Sequence, residues 1–291
     1  MLFRSSYERM QRTEVELKAQ NEALLARAKA TDEAEKNEPE LDIPAEIARR
    51  ENRLEVIRAA RERLEERQRQ ADAARGRTPD DERRPKGPDG TPRNGPLYKR
   101  EFGTPKPKAQ ENFTDPESRI MKRAGGGFDY SYNAHAAVDE TAHIIVAAEL
   151  TNNGADSTRL APLLEAVKQT AGQYPRQVLA DAGFRSEAVF EVLKEHPSEL
   201  VVALGREGKK PGAIDPRRRP FTAAMAQKLQ TEQAKLDYRR RKWISEPPNG
   251  WVKNVLGFRQ FSLRGLAKAR AEWRLVCAAL NLRRMALLMP A

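Results

Sequence analysis

A chain of 291 residues with 39% hydrophobic content can build one large core or two smaller ones, and it leaves much of its length to solvent. Its 53 Lys and Arg against 42 Asp and Glu give a formal charge of +11, which points to a polyanionic partner, nucleic acid first among them. A single cysteine, Cys277, excludes an intrachain disulfide and a cysteine-based zinc site; no apolar run nears the roughly 18 residues of a membrane span, and MLFRSSYERM lacks the apolar stretch of a signal peptide, so a cytoplasmic location without membrane contact is expected.

Residues 7–70 are dominated by Glu, Arg, Ala, Leu and Lys, with Leu17, Leu24 and Leu25, then Ile47, Leu54, Ile57 and Leu64, at helical spacing. The pattern predicts two helices in an antiparallel hairpin, assigned to residues 1–76. The break falls in KNEPELDIP, where Pro39 interrupts and Pro44 suits a first helical turn, with Asp42 or Ile43 at the cap. Charges of alternating sign mark a solvated arm without catalytic groups. Residues 77–111, including RTPDDERRPKGPDGTPRNGP, combine Pro, Gly, Arg and Asp without periodicity and read as a basic linker too polar to order itself.

From residue 112 onward strands and helices alternate, which indicates an α/β domain built on a mixed sheet over residues 112–291. Residues 130–139 and 143–150 read as consecutive antiparallel strands joined by a short polar turn. Asp156 or Ser157 is expected to cap a helix that carries Leu160, Leu163, Leu164 and Val167 on one stripe, and QVLA at 177–180 reads as a short buried strand ending at Asp181. Ser186 is placed at the cap of the next helix, LVVAL at 200–204 in another strand, and residues 263–288 in a long terminal helix with Leu266, Ala269, Trp273, Val276 and Leu280 inward.

The sharpest local feature is LADAGF, residues 179–184, a carboxylate placed where an apolar strand ends and a glycine turn begins. Reacting groups converge at strand ends in open α/β sheets because the backbone is rigid there while the side chain reaches solvent or metal. Asp181 is therefore the first catalytic candidate; the alternative is an aspartate that caps the turn before the next helix.

Downstream lie ISEPPNGWVK (244–253), GFRQF (257–261) and SLRGL (262–266). Together with NFTDPESRIMK (112–122), YNAHAAVD (132–139), TNNGAD (151–156), residues 178–184 and the stretch from Gly257 to Met285, they resemble, in order, the blocks of the DDE insertion-sequence transposases of bacteria, in the group with a long helical insertion. The charged hairpin resembles that insertion, so the likeness covers nearly the whole chain. The resemblance implies a ribonuclease-H-like fold and DNA transposition, with carboxylates that hold two Mg²⁺ or Mn²⁺ ions for phosphodiester cleavage and strand transfer. It gives Asp181 the place of the second carboxylate and Glu246 that of the third, both as metal ligands. Lys253, seven residues on, takes the place of a lysine that contacts DNA, and on a helix the two share a face. Arg259 and Arg264 are further phosphate candidates, with surface arginines as the alternative. Trp251, Phe258, Phe261 and Trp273 are expected in the core rather than stacked on bases.

The family's first carboxylate lies in an Asp-Gly-Thr block on the first strand, ahead of the insertion, and the chain begins where that block ends. The resemblance thus implies an amino-terminally truncated chain without that aspartate or its central strand, inactive alone. Asp89-Gly90-Thr91 lacks a preceding apolar strand and is rejected for the role, and Asp139 is held only in reserve. Around Glu246 the family's aromatic position is filled by Pro248-Asn249, and Arg240, Arg241 and Lys242 compete to follow Tyr238 as the basic partner. The expected partners are transposon-end and target DNA in the nucleoid, with a second copy or a full-length transposase as further possibilities. The alternative function is a non-catalytic DNA-binding or oligomerising protein that modulates such an enzyme.

Overall fold

The computed structural model describes residues 4–34, 43–86, 91, 94–123, 126–205 and 213–289, with side chains described outside 27–34 and 43–44. The chain divides into two compact units, Met1–Pro116 and Glu117–Ala291.

In the first unit a short strand β1 (Arg4–Ser6) leads into α1 (Tyr7–Ala34); α2 (Ile43–Ala73) follows, and β2 (Gln110–Asn112) pairs antiparallel with β1. Most of the expected break, residues 35–42, lies outside the described residues. The helices run antiparallel, because Tyr7 bonds Glu65 while Glu14, two turns further along α1, bonds Arg58 and Arg61. Their apolar stripes meet as Tyr7, Met10, Leu17, Leu54, Ile57, Ala60 and Leu64. Charges also enter this core. Glu14 is buried among Arg58, Arg61 and Lys18, and Glu111 of β2, 1% exposed, is held by Arg63 and Arg67. Burial pushes the Glu14 carboxyl upward, but hydrogen bonds from Lys18 and Arg58 and the nearby Arg61 charge outweigh it and hold the group below the usual carboxylate range.

Where composition predicts a linker, the described residues form turns anchored on the end of α2. Arg77, its side chain 6% exposed, bonds Asp72, Asp81 and the Arg100 carbonyl and lies 4.1 Å above the Tyr98 ring, and Asp72 also accepts from Gly103 N. A buried guanidinium whose N–H donors find acceptors substitutes for the apolar contacts that the segment lacks. Asp89 and Gly90 lie outside the described residues.

The second unit contains β3 (Arg119–Lys122) paired antiparallel with β4 (Phe128–Ser131), then β5 (Asn133–Val138) paired antiparallel with β6 (Ile145–Thr151). A 3₁₀ turn (Asp156–Thr158) precedes α3 (Leu160–Ala171), and β7 (Gln177–Ala180), a second 3₁₀ turn (Ala182–Phe184), α4 (Glu187–Val192) and β8 (Glu199–Val202) follow. The last elements are α5 (Pro220–Lys228), α6 (Glu232–Asn254) and α7 (Leu266–Leu288). Helices and strands thus mix as in an α/β fold. Among the described residues, however, the strands form four separate two-stranded ladders; only β7 and β8 are parallel, and no strand bridges them to β5 and β6 in one mixed sheet.

The β5–β6 hairpin is apolar on both faces, as a covered sheet must be. Ile145 and Leu150 pack with Ala269, Trp273, Cys277 and Leu280 of α7, while Ala147 meets Leu163 and Val167 of α3. Trp251, Phe258 and Phe261 join the α7 cluster, with Phe261 set edge-on to Tyr132, so these aromatics serve packing. Burial pushes the Cys277 thiol up to about 12. Polar side chains of α7 also bond the β6 backbone: Asn281 takes both Ile145 N and Ile145 O, and Arg270 takes the Leu150 carbonyl. They satisfy strand groups that would otherwise need another strand or water. The third cluster joins α3, α4 and α5 around Ala180 and Val202 of the parallel pair.

One local expectation is corrected by tertiary contacts, and a second holds in position only. Arg159, not Asp156 or Ser157, occupies the cap position of α3, because the Asp156 side chain is engaged with β5. Ser186 does occupy the cap position of α4 but makes no side-chain cap bond, and the preceding turn is held instead by Arg185 bonded to the Leu204 carbonyl.

Candidate functional site

Asp181 follows β7 directly. Its backbone is extended, and its carboxylate Oδ1 accepts from Gly183 N at 2.9 Å, so the side chain caps the turn that the strand runs into. Both sequence readings of this residue therefore describe one geometry, an aspartate at a strand end that also caps a turn. Asp181 is exposed, and among the described residues its second oxygen meets no hydrogen-bond or ion-pair partner.

Beside this turn stands a second carboxylate. Asp156 Oδ1 accepts from Asn133 Nδ2 at 2.6 Å and from His135 Nε2 at 2.9 Å, both on β5. The His135 side chain is 5% exposed, its ring meets Phe184 edge-on at 5.8 Å, and its carbonyl accepts from Trp273 Nε1. A Cβ at Gly183 would lie 2.6 Å from Asp156 Oδ2 and 3.0 Å from Asp181 Oδ1. Glycine is thus the residue that lets the two acidic side chains approach this turn from different elements. Sequence reasoning missed this cluster, since an aspartate ahead of an apolar helical stripe reads as a cap.

Glu246 sits on α6, exposed and, among the described residues, without an ion pair. Lys253 lies in the last turn of the same helix, also exposed; Arg259 bonds Asn254, and Arg264 is exposed just ahead of α7. No hydrogen bond joins Glu246 to Asp181. The helix continues through Pro247 and Pro248, where proline removes the amides that would have bonded the Trp243 and Ile244 carbonyls. The Trp243 carbonyl is recovered from outside the helix: His143 Nε2 donates to it at 2.8 Å, and the imidazole is edge-on to both Trp243 and Trp251. His143, with φ 57 in the β5–β6 turn, therefore steadies the backbone just before Glu246. No sequence pattern marked it.

The basic residues competing around Tyr238 also separate. Arg240 is consumed by Glu140, Asp237 and Gln177, which ties α6 to β7 and to the β5–β6 turn, whereas Arg241 lies over the Tyr238 ring at 5.4 Å. A hydrogen bond from Gln177 is the leading reason that the Asp237 carboxyl is held below its usual range. Asp139 is occupied by the Ala142 amide and shapes the hairpin turn.

The exposed oxygens of Asp181 and Glu246 suit a hard cation such as Mg²⁺, which keeps several waters and takes one or two carboxylates. Among the described residues no group of three or more His, Cys, Asp or Glu side chains stands close enough to form a full protein cage. The donor chemistry therefore fits a hydrated ion held by few side chains. Among the described residues, too, no helix is long and apolar enough to cross a membrane.

The family described as transposase DDE domain matches residues 90–282, a span that includes Asp181, Glu246, Lys253, Arg259 and Arg264. Enzymes of this family act on DNA and generally use a divalent metal. No curated protein and no solved structure matches the chain. With two thirds of its length inside that match and an exposed carboxylate at the end of β7, the chain belongs to the transposase DDE-domain family.

Proposed function

We propose that the chain serves DNA transposition as the part of a DDE transposase that carries two of its three carboxylates, within a ribonuclease-H-like architecture. The observation that carries this reading is Asp181, exposed at the end of β7 inside the family match. Asp181 and Glu246 hold divalent metal, Mg²⁺ or Mn²⁺, and the ions supply activation of the attacking oxygen and stabilisation of the leaving oxygen at a scissile phosphate. Lys253, Arg259 and Arg264 bind the neighbouring phosphates; Lys253 shares a helix with Glu246 and is exposed like it. The chain's partners are the transposon ends and target DNA.

The test is a metal-dependent nicking assay on terminal-repeat DNA, with the chain alone and supplemented by a polypeptide carrying an Asp-Gly-Thr strand. Metal-dependent cutting by either, abolished by Asp181→Ala and by Glu246→Ala, supports the reading; cutting that survives both substitutions refutes it. The net charge of +11 favours a second reading, a non-catalytic DNA-binding protein that modulates a full transposase. That reading gains if the chain binds DNA, no combination cuts it, and Lys253→Ala lowers the salt dependence of binding by about one phosphate contact.

A further inference from the structure

The Asp156 carboxylate belongs to neither the hairpin nor the Asp181 strand, yet it touches the turn on which Asp181 is presented. One of its oxygens is fixed from β5 by Asn133 Nδ2 and His135 Nε2, at 2.6 and 2.9 Å. The other faces Gly183 so closely that an added Cβ would meet it at 2.6 Å. His135 extends the clamp to the ring of Phe184, the last residue of the turn. The turn is therefore held by three contacts, its own Asp181 cap bond, Asp156 and His135. An exposed carboxylate at a three-residue turn is otherwise free to rotate, and fixing such a group before a ligand arrives removes much of the ordering cost of binding.

From this geometry we propose that Asp156, held by His135 and Asn133, is a positioning residue for Asp181: it fixes the Gly183 turn so that the Asp181 carboxylate is presented to a divalent cation. The proposal rests on the reading of Asp181 as a metal-binding carboxylate. Asp156 acts through the turn and is not itself a ligand. Outer partners of this kind change metal affinity by about 10–100-fold when removed.

The experiment measures Mn²⁺ affinity of the full chain by electron paramagnetic resonance, with circular dichroism showing that each variant is folded. Asp181→Ala is expected to remove the tightest Mn²⁺. Asp156→Ala and His135→Ala are expected to weaken it about tenfold. Asp156→Asn keeps an oxygen for Asn133 and His135 and is expected to stay within about twofold, and His135→Gln, which keeps a donor, should recover most of what His135→Ala loses. Asn133→Ala provides an independent arm should Asp156→Ala fail to fold, since it removes a donor from Asp156 and leaves Asp181 untouched, and it should weaken Mn²⁺ in the same direction. Native affinity in both Asp156→Ala and Asn133→Ala, with Asp181→Ala still deficient, overturns the proposal and leaves the metal role of Asp181 standing. A loss in Asp156→Asn as large as in Asp181→Ala overturns it in the other direction, by making Asp156 a direct ligand. Mn²⁺ binding unaffected by Asp181→Ala overturns the metal role of Asp181, and the positioning role with it.

Discussion

In the helical unit Glu14, Asp72, Asp81 and Glu111 lie buried against arginines, whereas in the α/β unit Asp181, Glu246, Lys253 and Arg264 stand at the surface over an interior built from residues such as Leu150, Val202 and Trp273. The two units solve the same packing problem with different material. Two helices whose apolar stripes contribute few large side chains draw ion pairs inward, and these specify which faces meet more than they add net stability. The α/β unit closes mainly on apolar area, with Asp237 paired to Arg240 as a buried exception, which leaves the carboxylates and cations of the candidate site at the surface to meet ligands.

Removing one partner from a buried pair is the most direct way to break this comparison. Arg77→Ala leaves Asp72 and Asp81 buried without their cation and is expected to cost about 3–5 kcal/mol in urea unfolding, with hydrogen exchange accelerated in α2. The same residue sets an acid limit. The hydrogen bond from Arg77 is the leading reason that the Asp81 carboxyl is held below its usual value, so the stabilisation is complete above an unfolded pKa of about 4 and is lost as pH falls through the lower folded value. Unfolding below about pH 4 should accordingly become shallower in Arg77→Ala than in the native chain. An unchanged acid profile would separate the pair from the stability of the helical unit.

A cavity tests the other side of the comparison. Trp273→Ala removes a ring packed between β5, β6 and Phe258 and is expected to cost about 3–5 kcal/mol, with fluorescence and exchange changes concentrated in β5, β6 and α7 and with little dependence on salt. A strongly salt-dependent loss would contradict an apolar origin. The smallest effect is expected at His143→Ala, which leaves the Trp243 carbonyl without its donor at about 1 kcal/mol. Exchange should rise locally along α6 near Glu246 while the rest of the unit keeps its protection.

Much of the architecture could be read along the chain, because periodicity reports on local structure. The two long helices, the β5–β6 hairpin, β7 and the terminal helix carry their apolar residues at the spacing each element requires. The glycine after Asp181 marked the turn for the same reason. What could not be read was long-range. α6 was hidden by Pro247 and Pro248, whose cost as helix breakers is offset at Trp243 by a histidine a hundred residues earlier in the chain. The turns after Arg77 were hidden by their composition, because the order there comes from one buried guanidinium rather than from apolar area.

The sequence by itself determined many of the elements, the basic charge and the ordered motifs that mark a DDE-domain transposase, since each depends on residues close together in the chain or on their simple sum. Only the tertiary structure decided that Asp156 leaves its helix cap for Asn133 and His135, that Arg240 is spent on Glu140 and Asp237, and that His143 meets the carbonyl left open at Pro247. Each of those side chains bonds a partner far along the chain, because burial leaves polar groups unsatisfied unless the fold brings their counterparts together.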